Sequence, residues 1–300
     1  MTPDRPLPAA RNWIVKSHAL GNDYLVVDPS ALTFALTPEA IRRICDRHLG
    51  AGSDGILALA PSSAADFGLR IFNPDGSEAE KSGNGLRIFA KFLYDHGYTS
   101  RPAFSIETPG GIARVQLHLV DGRIDLMTLD VGRATFQSGE IPVTGPPREV
   151  VDEELDAGGA RLKITAVSVG NPHCVVFVPD LRGVDVHRLG PLLEHHAAFP
   201  HRANVQFAQV LARDHVKILI WERGAGETRA SGTSASAVAA AAVRRGLTDR
   251  TMTISAPGGD LRVTVAEDWH IRMTGPASEV YTGTLSADLL AALASPSPPP

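Results

Sequence analysis

The chain has 300 residues, 43% of them apolar and 21% charged, which is enough for two domains that each bury a core. A formal net charge of −4 provides neither the basic stripe of a nucleic-acid binder nor a polybasic patch for a membrane surface. No apolar run approaches the roughly 20 residues that cross a bilayer, and the polar start Met1 to Pro8 has no signal-peptide core, so a cytoplasmic protein is expected.

In chain order, a strand is predicted around Tyr24 to Asp28, entered through Leu20-Gly21-Asn22. Thr37-Pro38-Glu39 starts a helix, with Thr as N-cap and Pro in the first turn, running to about His48. Ile41, Ile44, Cys45 and Leu49 make its apolar face, which puts Cys45 in the core. A glycine-rich turn from Gly50 to Gly55 precedes strands at Ile56 to Ala60 and Phe67 to Phe72, and Asn73-Pro74-Asp75-Gly76 turns the chain. Leu86, Phe89, Phe92 and Leu93 have helical spacing from Gly85, and Gly97 closes that helix. Several strands follow between Phe104 and Leu129. A linker is expected somewhere in Phe136 to Gly159, a stretch rich in Gly, Pro and acids.

The second half repeats this layout. Strands are expected at Val175 to Val178, Asn204 to Phe207, His215 to Trp221, Met252 to Ser255, Leu261 to Val265 and Ile271 to Thr274. Helices are expected at Val186 to His195 and Ser234 to Arg245. The expected domains are 1–135 with a returning segment 274–290, and 136–273, followed by a disordered tail at 291–300. The fold class is α/β in the α+β sense: two pseudo-symmetric domains from a duplication, each a mixed or antiparallel sheet wrapped around a central helix.

Cys45 and Cys174 lack CxxC spacing, and the adjacent His195 and His196 would diverge, so no metal is expected. Ser82-Gly-Asn-Gly lacks the third glycine of a dinucleotide fingerprint, and there is no Walker lysine. No cofactor is expected.

Two segments carry the chemistry. Asp75-Gly-Ser-Glu-Ala-Glu-Lys-Ser82-Gly83-Asn84-Gly85 and Glu222-Arg-Gly-Ala-Gly-Glu-Thr-Arg-Ala-Ser231-Gly232-Thr233-Ser234 each place a serine before a helix, 149 positions apart. The same offset carries Gly21-Asn22 onto Gly170-Asn171, and an offset of 148 carries Pro109-Gly110-Gly111 onto Pro257-Gly258-Gly259. Capping alone explains a serine at such a position. Two equivalent helix mouths also present unpaired N–H groups and positive dipole ends that suit a carboxylate.

Gly21-Asn22-Asp23, Asn73 to Glu80, Gly83-Asn84-Gly85, Gly170-Asn171-Pro172-His173, Asn204-Val205 and Trp221 to Glu227 resemble, in order, the signature blocks of the diaminopimelate epimerase family. The resemblance runs from about Val15 to Leu285. It implies cofactor-independent interconversion of LL- and meso-diaminopimelate, for lysine and peptidoglycan synthesis, usually by a homodimer. It also implies substrate contacts from Asn22, Asn73, Asn171, Asn204, Glu222 and Arg223, and backbone donors from Gly83-Asn84 and Gly232-Thr233. A small amino acid is then the only partner implied beyond a second copy, with no nucleic acid and no membrane. A glutamine contact of the family has no counterpart, since Gly55 stands there.

The family's two catalytic cysteines are replaced here by Ser82 and Ser231. A thiol ionises near pKa 8.5 and a hydroxyl nearer water's roughly 15.7. At about 1.36 kcal/mol per unit the alkoxide costs on the order of 7–10 kcal/mol more, and a helix dipole supplies only about 1 kcal/mol. Serine therefore needs concerted help from a base, and the resemblance offers His173 for Ser82 and Glu222 for Ser231. Three accounts fit the double serine: an epimerase of an unusual subfamily, an engineered variant that holds substrate without turnover, or a diverged racemase, dehydratase or lyase acting on another amino acid.

Overall fold

The computed structural model describes residues 10–294. The chain forms two compact units. One ends at Leu129 and resumes at Pro276; the other is Asp130–Gly275.

In the first unit, Trp13–Ala19 (β1) and Asn22–Val27 (β2) pair antiparallel, and β2 runs parallel to Ile56–Ala60 (β3). The helix Pro38–Cys45 (α1) makes that crossover, as a parallel pair requires. Antiparallel to β3 lies Phe67–Phe72 (β4), which carries the short Glu78–Ala79 (β5). The helix Gly83–Asp95 (α2) then leads to Ala103–Thr108 (β6), parallel to β4. Gly111–Val120 (β7) and Arg123–Arg133 (β8) follow antiparallel, β8 crossing the boundary between the units after Leu129.

The second unit begins its strands with Glu153–Ala157 (β9), antiparallel to Ala160–Ser168 (β10). Pro172–Phe177 (β11), the helix Val186–Glu194 (α3), Asn204–Ala212 (β12), His215–Glu222 (β13) and Gly226–Thr228 (β14) come next. The helix Gly232–Arg244 (α4), Thr251–Ala256 (β15), Gly259–Val265 (β16) and His270–Gly275 (β17) complete it. Ser278–Thr284 (β18) and Ala287–Ala294 (α5) return to the first unit, where β18 pairs antiparallel with β1.

The pairings duplicate one another. Within the second unit β11 and β12 are parallel like β2 and β3, β13 and β15 are parallel like β4 and β6, and the antiparallel pairs recur likewise. Both central helices have 13 residues. Both stop the same way: Gly97 and Gly246 take positive φ, and the N–H of the following Tyr98 and Leu247 bonds back to Leu93 and Ala242. Each helix is buried along most of its length, from Asn84 to Leu93 with few gaps and from Ser234 to Ala242. A sheet thus wraps each helix, in accord with the expected α+β class.

Three details differ from the sequence reading. Phe136–Gly159 is no linker, because Phe136, Ile141, Val143 and Val150 are buried in the second unit and Glu153–Ala157 is a strand. Its glycines, prolines and acids mask apolar residues spaced along the loop. α1 ends at Cys45, since the Asp46 carboxylate takes the His48 and Leu49 N–H groups, and Leu49 is exposed. Ala291–Ala294 are the last turn of α5, whose Leu289, Leu290 and Leu293 pack on a core of Ile41, Ile44 and Leu285; the rest of the expected tail, like Met1 to Pro8, lies outside the described residues.

Candidate active site

Ser82 caps α2. Its backbone is extended (φ −141°, ψ 119°), its Oγ accepts the Gly85 N–H at 3.1 Å, and its carbonyl takes the Leu86 N–H. Ser231 caps α4 with nearly the same angles (φ −144°, ψ 125°), and its Oγ accepts from Ser234 N at 3.4 Å. A Thr233 hydroxyl lies 3.3 Å from Ser231 Oγ. Since the helical carbonyls begin at Ser231, the N–H groups of Gly232 and Thr233 have no carbonyl behind them within α4. That is the anion-binding end of a helix.

Around the α2 mouth the structure brings together Asn22 and Asn84. Asn84 Nδ2 donates to Asn22 Oδ1 at 3.1 Å, and Asn22 Nδ2 donates to Asp54 Oδ2 at 2.9 Å. Arg87, with no exposed surface, donates from Nη2 to Asn84 Oδ1 at 2.7 Å, from Nη1 to the Gly83 carbonyl and from Nε to the Pro276 carbonyl. Burial pushes the Arg87 guanidinium down to about 10, which leaves it charged at neutral pH. Asp54 also takes the Asp23 N–H and pairs with Arg47, and Lys16 and Arg47 both pair with Asp23. Their charge holds the Asp23 carboxyl below the usual range even though burial acts the other way. Asn73 is half-buried at the end of β4, with Nδ2 on Ser77 Oγ at 3.0 Å. Gly55 has φ +155°, and a Cβ there would lie 2.2 Å from the Phe72 carbonyl oxygen and 2.9 Å from the Tyr24 ring. No larger residue fits without moving that ring or the strand.

In the second unit His173 is fully buried on β11, opposite Asn204 on β12. Its Nδ1 accepts from Gln206 Nε2 at 3.1 Å, so its Nε2 carries the proton and donates to Asn171 Oδ1 at 2.9 Å. Gln206 also donates to Ser234 Oγ at 3.0 Å. Burial drives the imidazole down to about 3, so it is neutral. Asn204 ties three segments together: Nδ2 donates to the Pro172 carbonyl and Oδ1 accepts the Arg223 N–H.

Glu222 and Arg223 sit where β13 turns into β14. Burial raises the Glu222 carboxyl, while Arg223 is exposed and donates to the His201 carbonyl. Glu194 at the end of α3 fixes this turn through the Trp221 indole N–H (2.8 Å) and the Gly224 N–H (2.9 Å). Ser231 makes no hydrogen bond to Glu222 among the described residues.

Four polar residues here went unnoticed in the sequence: Arg87, Asp54, Gln206 and Glu194. Arg87 and Gln206 did carry a signal, each being polar inside an apolar run (Leu86 to Phe89, Val205 to Ala208). Cys174, by contrast, is a core residue of β11 whose thiol burial pushes up to about 12.

A duplicated sheet-and-helix fold with a capped helix mouth in each half belongs to a structural class that includes amino-acid racemases. The probable proline racemase from Agrobacterium radiobacter superposes with a TM-score of 0.68 at 17% identity, over 92% of this chain and 93% of that one. A hydroxyproline epimerase from Agrobacterium vitis gives 0.66 at 17%, over 90% of each chain. Identities this low establish the fold alone. The sequence is more specific: a diaminopimelate epimerase family model matches residues 14–137 and 165–280. The diaminopimelate epimerase of Pelotomaculum thermopropionicum is 46% identical over 272 residues, 89% of this chain and 96% of that protein. Diaminopimelate epimerase 2 of a Nostoc species is 47% identical over 278 residues, 92% and 96% respectively. The chain belongs to the diaminopimelate epimerase family, a family of isomerases.

Proposed function

We propose that this protein interconverts LL- and meso-2,6-diaminopimelate without a cofactor, with Ser82 and Ser231 assigned to opposite faces of one α-carbon. The observation that carries the reading is the pair of serine-capped, 13-residue helices with matching cap angles, in a chain of this family. In the reaction the α-C–H bond breaks and its proton passes to the base on one side. The electron pair remains on the carboxylate-bearing carbon, stabilised by helix N–H groups, until a proton from the other side forms the new C–H bond. Nothing is oxidised or reduced. The backbone of Gly83, Asn84, Gly232 and Thr233 suits the carboxylate at the reacting end, with Asn22 as a further substrate contact. Asn73, Asn171, Asn204 and Arg223 would take the far carboxylate, Arg223 through its fork, and Glu222 the far ammonium group.

A second reading, binding without turnover, is favoured by one observation: within its own unit each serine hydroxyl caps a helix, and among the described residues Ser231 Oγ is bonded by Thr233 and Ser234 and by no base. His173 would have to exchange its Asn171 and Gln206 partners before acting as a base. Incubation with LL-diaminopimelate in D₂O separates the two. Deuterium at the α-carbon, rising by several orders of magnitude in the Ser82→Cys/Ser231→Cys variant, is the expected result. No exchange in either protein would overturn the epimerase reading. Tight binding of the substrate by the original chain, with exchange only after cysteine is restored, would establish the second.

The remaining assignments are a cytoplasmic location and a homodimer. Among the described residues no helix is long and apolar enough to cross a membrane. A second copy could cover the exposed Val280 and Tyr281 of β18, which pairs only with β1 among the described strand pairings.

A further inference from the structure

Asn22 and Asn84 are the central links of a hydrogen-bonded chain with a cation at one end and an anion at the other. It runs from Arg87 Nη2 to Asn84 Oδ1 (2.7 Å), from Asn84 Nδ2 to Asn22 Oδ1 (3.1 Å), and from Asn22 Nδ2 to Asp54 Oδ2 (2.9 Å). A carboxamide can present its oxygen or its nitrogen to a given side, and its two faces differ little in shape. Here the ends remove that freedom. A guanidinium has only donors, so Asn84 must turn its oxygen to Arg87 and its NH₂ to Asn22. A carboxylate only accepts, so Asn22 must turn its NH₂ to Asp54 and its oxygen to Asn84. Reversing either amide would set donor against donor, or acceptor against acceptor, at two contacts.

We propose that Arg87 and Asp54 are positioning residues that act jointly, through this polarised chain, to fix which atoms Asn22 offers to the substrate's amino-acid group and to hold the Asn84 main chain at the α2 mouth. The inference rests on the proposed substrate role of the Asn22 side chain and the Asn84 backbone. Both end groups are themselves anchored. Arg87 is held by the Gly83 and Pro276 carbonyls, and Asp54 by Arg47 and the Asp23 N–H. Gly83 is the first residue of α2, so the same guanidinium that orients Asn84 also bonds the helix mouth. In the second unit the position equivalent to Arg87 is Ser236, which donates to the Gly232 carbonyl at 2.8 Å. There the bond to the mouth is kept, but a hydroxyl this short cannot extend a chain of amides. The polarised chain is therefore a property of the first unit.

The test uses the full chain with Asp54→Asn, Arg87→Gln and both together. The asparagine side-chain amide NMR signals of the free protein report the chain itself. Asp54→Asn should shift the Asn84 amide as well as the Asn22 amide, although of these two amides Asp54 bonds only that of Asn22. Calorimetric titration with meso-diaminopimelate reports its consequence. Each single variant should bind about tenfold more weakly, and the double variant hardly more weakly than either single one, because each end acts through the same two amides. Arg87→Lys, which keeps a cationic donor, should recover part of the affinity. Additive losses, or an Asn84 signal unmoved by Asp54→Asn, would overturn the proposal. Asp54 is partly exposed and its variant leaves the core intact, so failure of the Arg87 variants to fold leaves the NMR test standing. Shifted amides in a protein that does not bind the ligand would refute the substrate reading and spare the chain of amides.

Discussion

His173 is a fully buried imidazole. Its Nδ1 faces Gln206, its Nε2 faces Asn171, and burial drives its pKa from the ordinary 6.5 to about 3. Unfolded, the same ring takes a proton near pH 6.5, so below that value the unfolded chain binds a proton that the folded one refuses. The stability this represents is complete above pH 6.5 and is lost as pH falls toward 3. Asp23 and Asp28 are held below the ordinary carboxylate range and Asp66 sits at about 2, so between pH 6.5 and 4 these contribute little. The Glu222 carboxyl, raised by burial, acts in the opposite sense, so urea unfolding across that window should show a steeper acid loss in the original chain than in His173→Gln. His173→Gln should flatten the slope and cost about 1–3 kcal/mol at pH 7 through disturbed partners. An unchanged slope in the variant would show that another group titrates. Residues such as Ser82 and Ser231 could be found in the sequence because a helix cap is a local pattern. The trio His173, Gln206 and Ser234 could not, since β11, β12 and α4 must first be brought side by side.

At the level of elements, the serines have a structural task that precedes any chemistry. Each supplies the oxygen for an N–H three residues on, at the start of a helix buried inside a sheet where water offers little replacement. Ser82→Ala and Ser231→Ala should each lower stability by about 1 kcal/mol, and Ser→Gly by only a few tenths, in denaturant titrations. Equal losses for Ala and Gly would argue that the lost contact is not a cap. The helices themselves were legible from the spacing of Leu86, Phe89 and Leu93 and from the alanine run of α4. The small strands β5 and β14 were not, because two or three residues show no period. Packing decides the rest. α3 passes Trp221 so closely that a Cβ on Gly190 would lie 2.5 Å from the indole, a constraint that no local pattern reveals.

For the whole molecule, the organising fact is a duplication with one unequal part. Beside β10 lies β9, its immediate neighbour in the chain; beside β1 lies β18, drawn from the far end of the sequence. The duplication was legible from repeated motifs, while the linker was misread because the apolar residues of that stretch are spaced irregularly. A chain ending at Gly275 would leave β1 without its outer partner and remove Leu285 and the α5 leucines from the first unit's core. Such a truncation should lose the cooperative unfolding of the first unit and retain that of the second, read by hydrogen exchange of β2 against β11. Protection of β2 equal to that of the full chain would show that β18 is dispensable. On the ribosome this unequal part reverses the usual order of assembly. The unit encoded second is continuous and can close first, whereas the one encoded first stays incomplete until its last strand emerges. At roughly 5–20 residues per second the early nascent strands wait some tens of seconds for their partner. Chaperone dependence during synthesis should therefore fall on the N-terminal half.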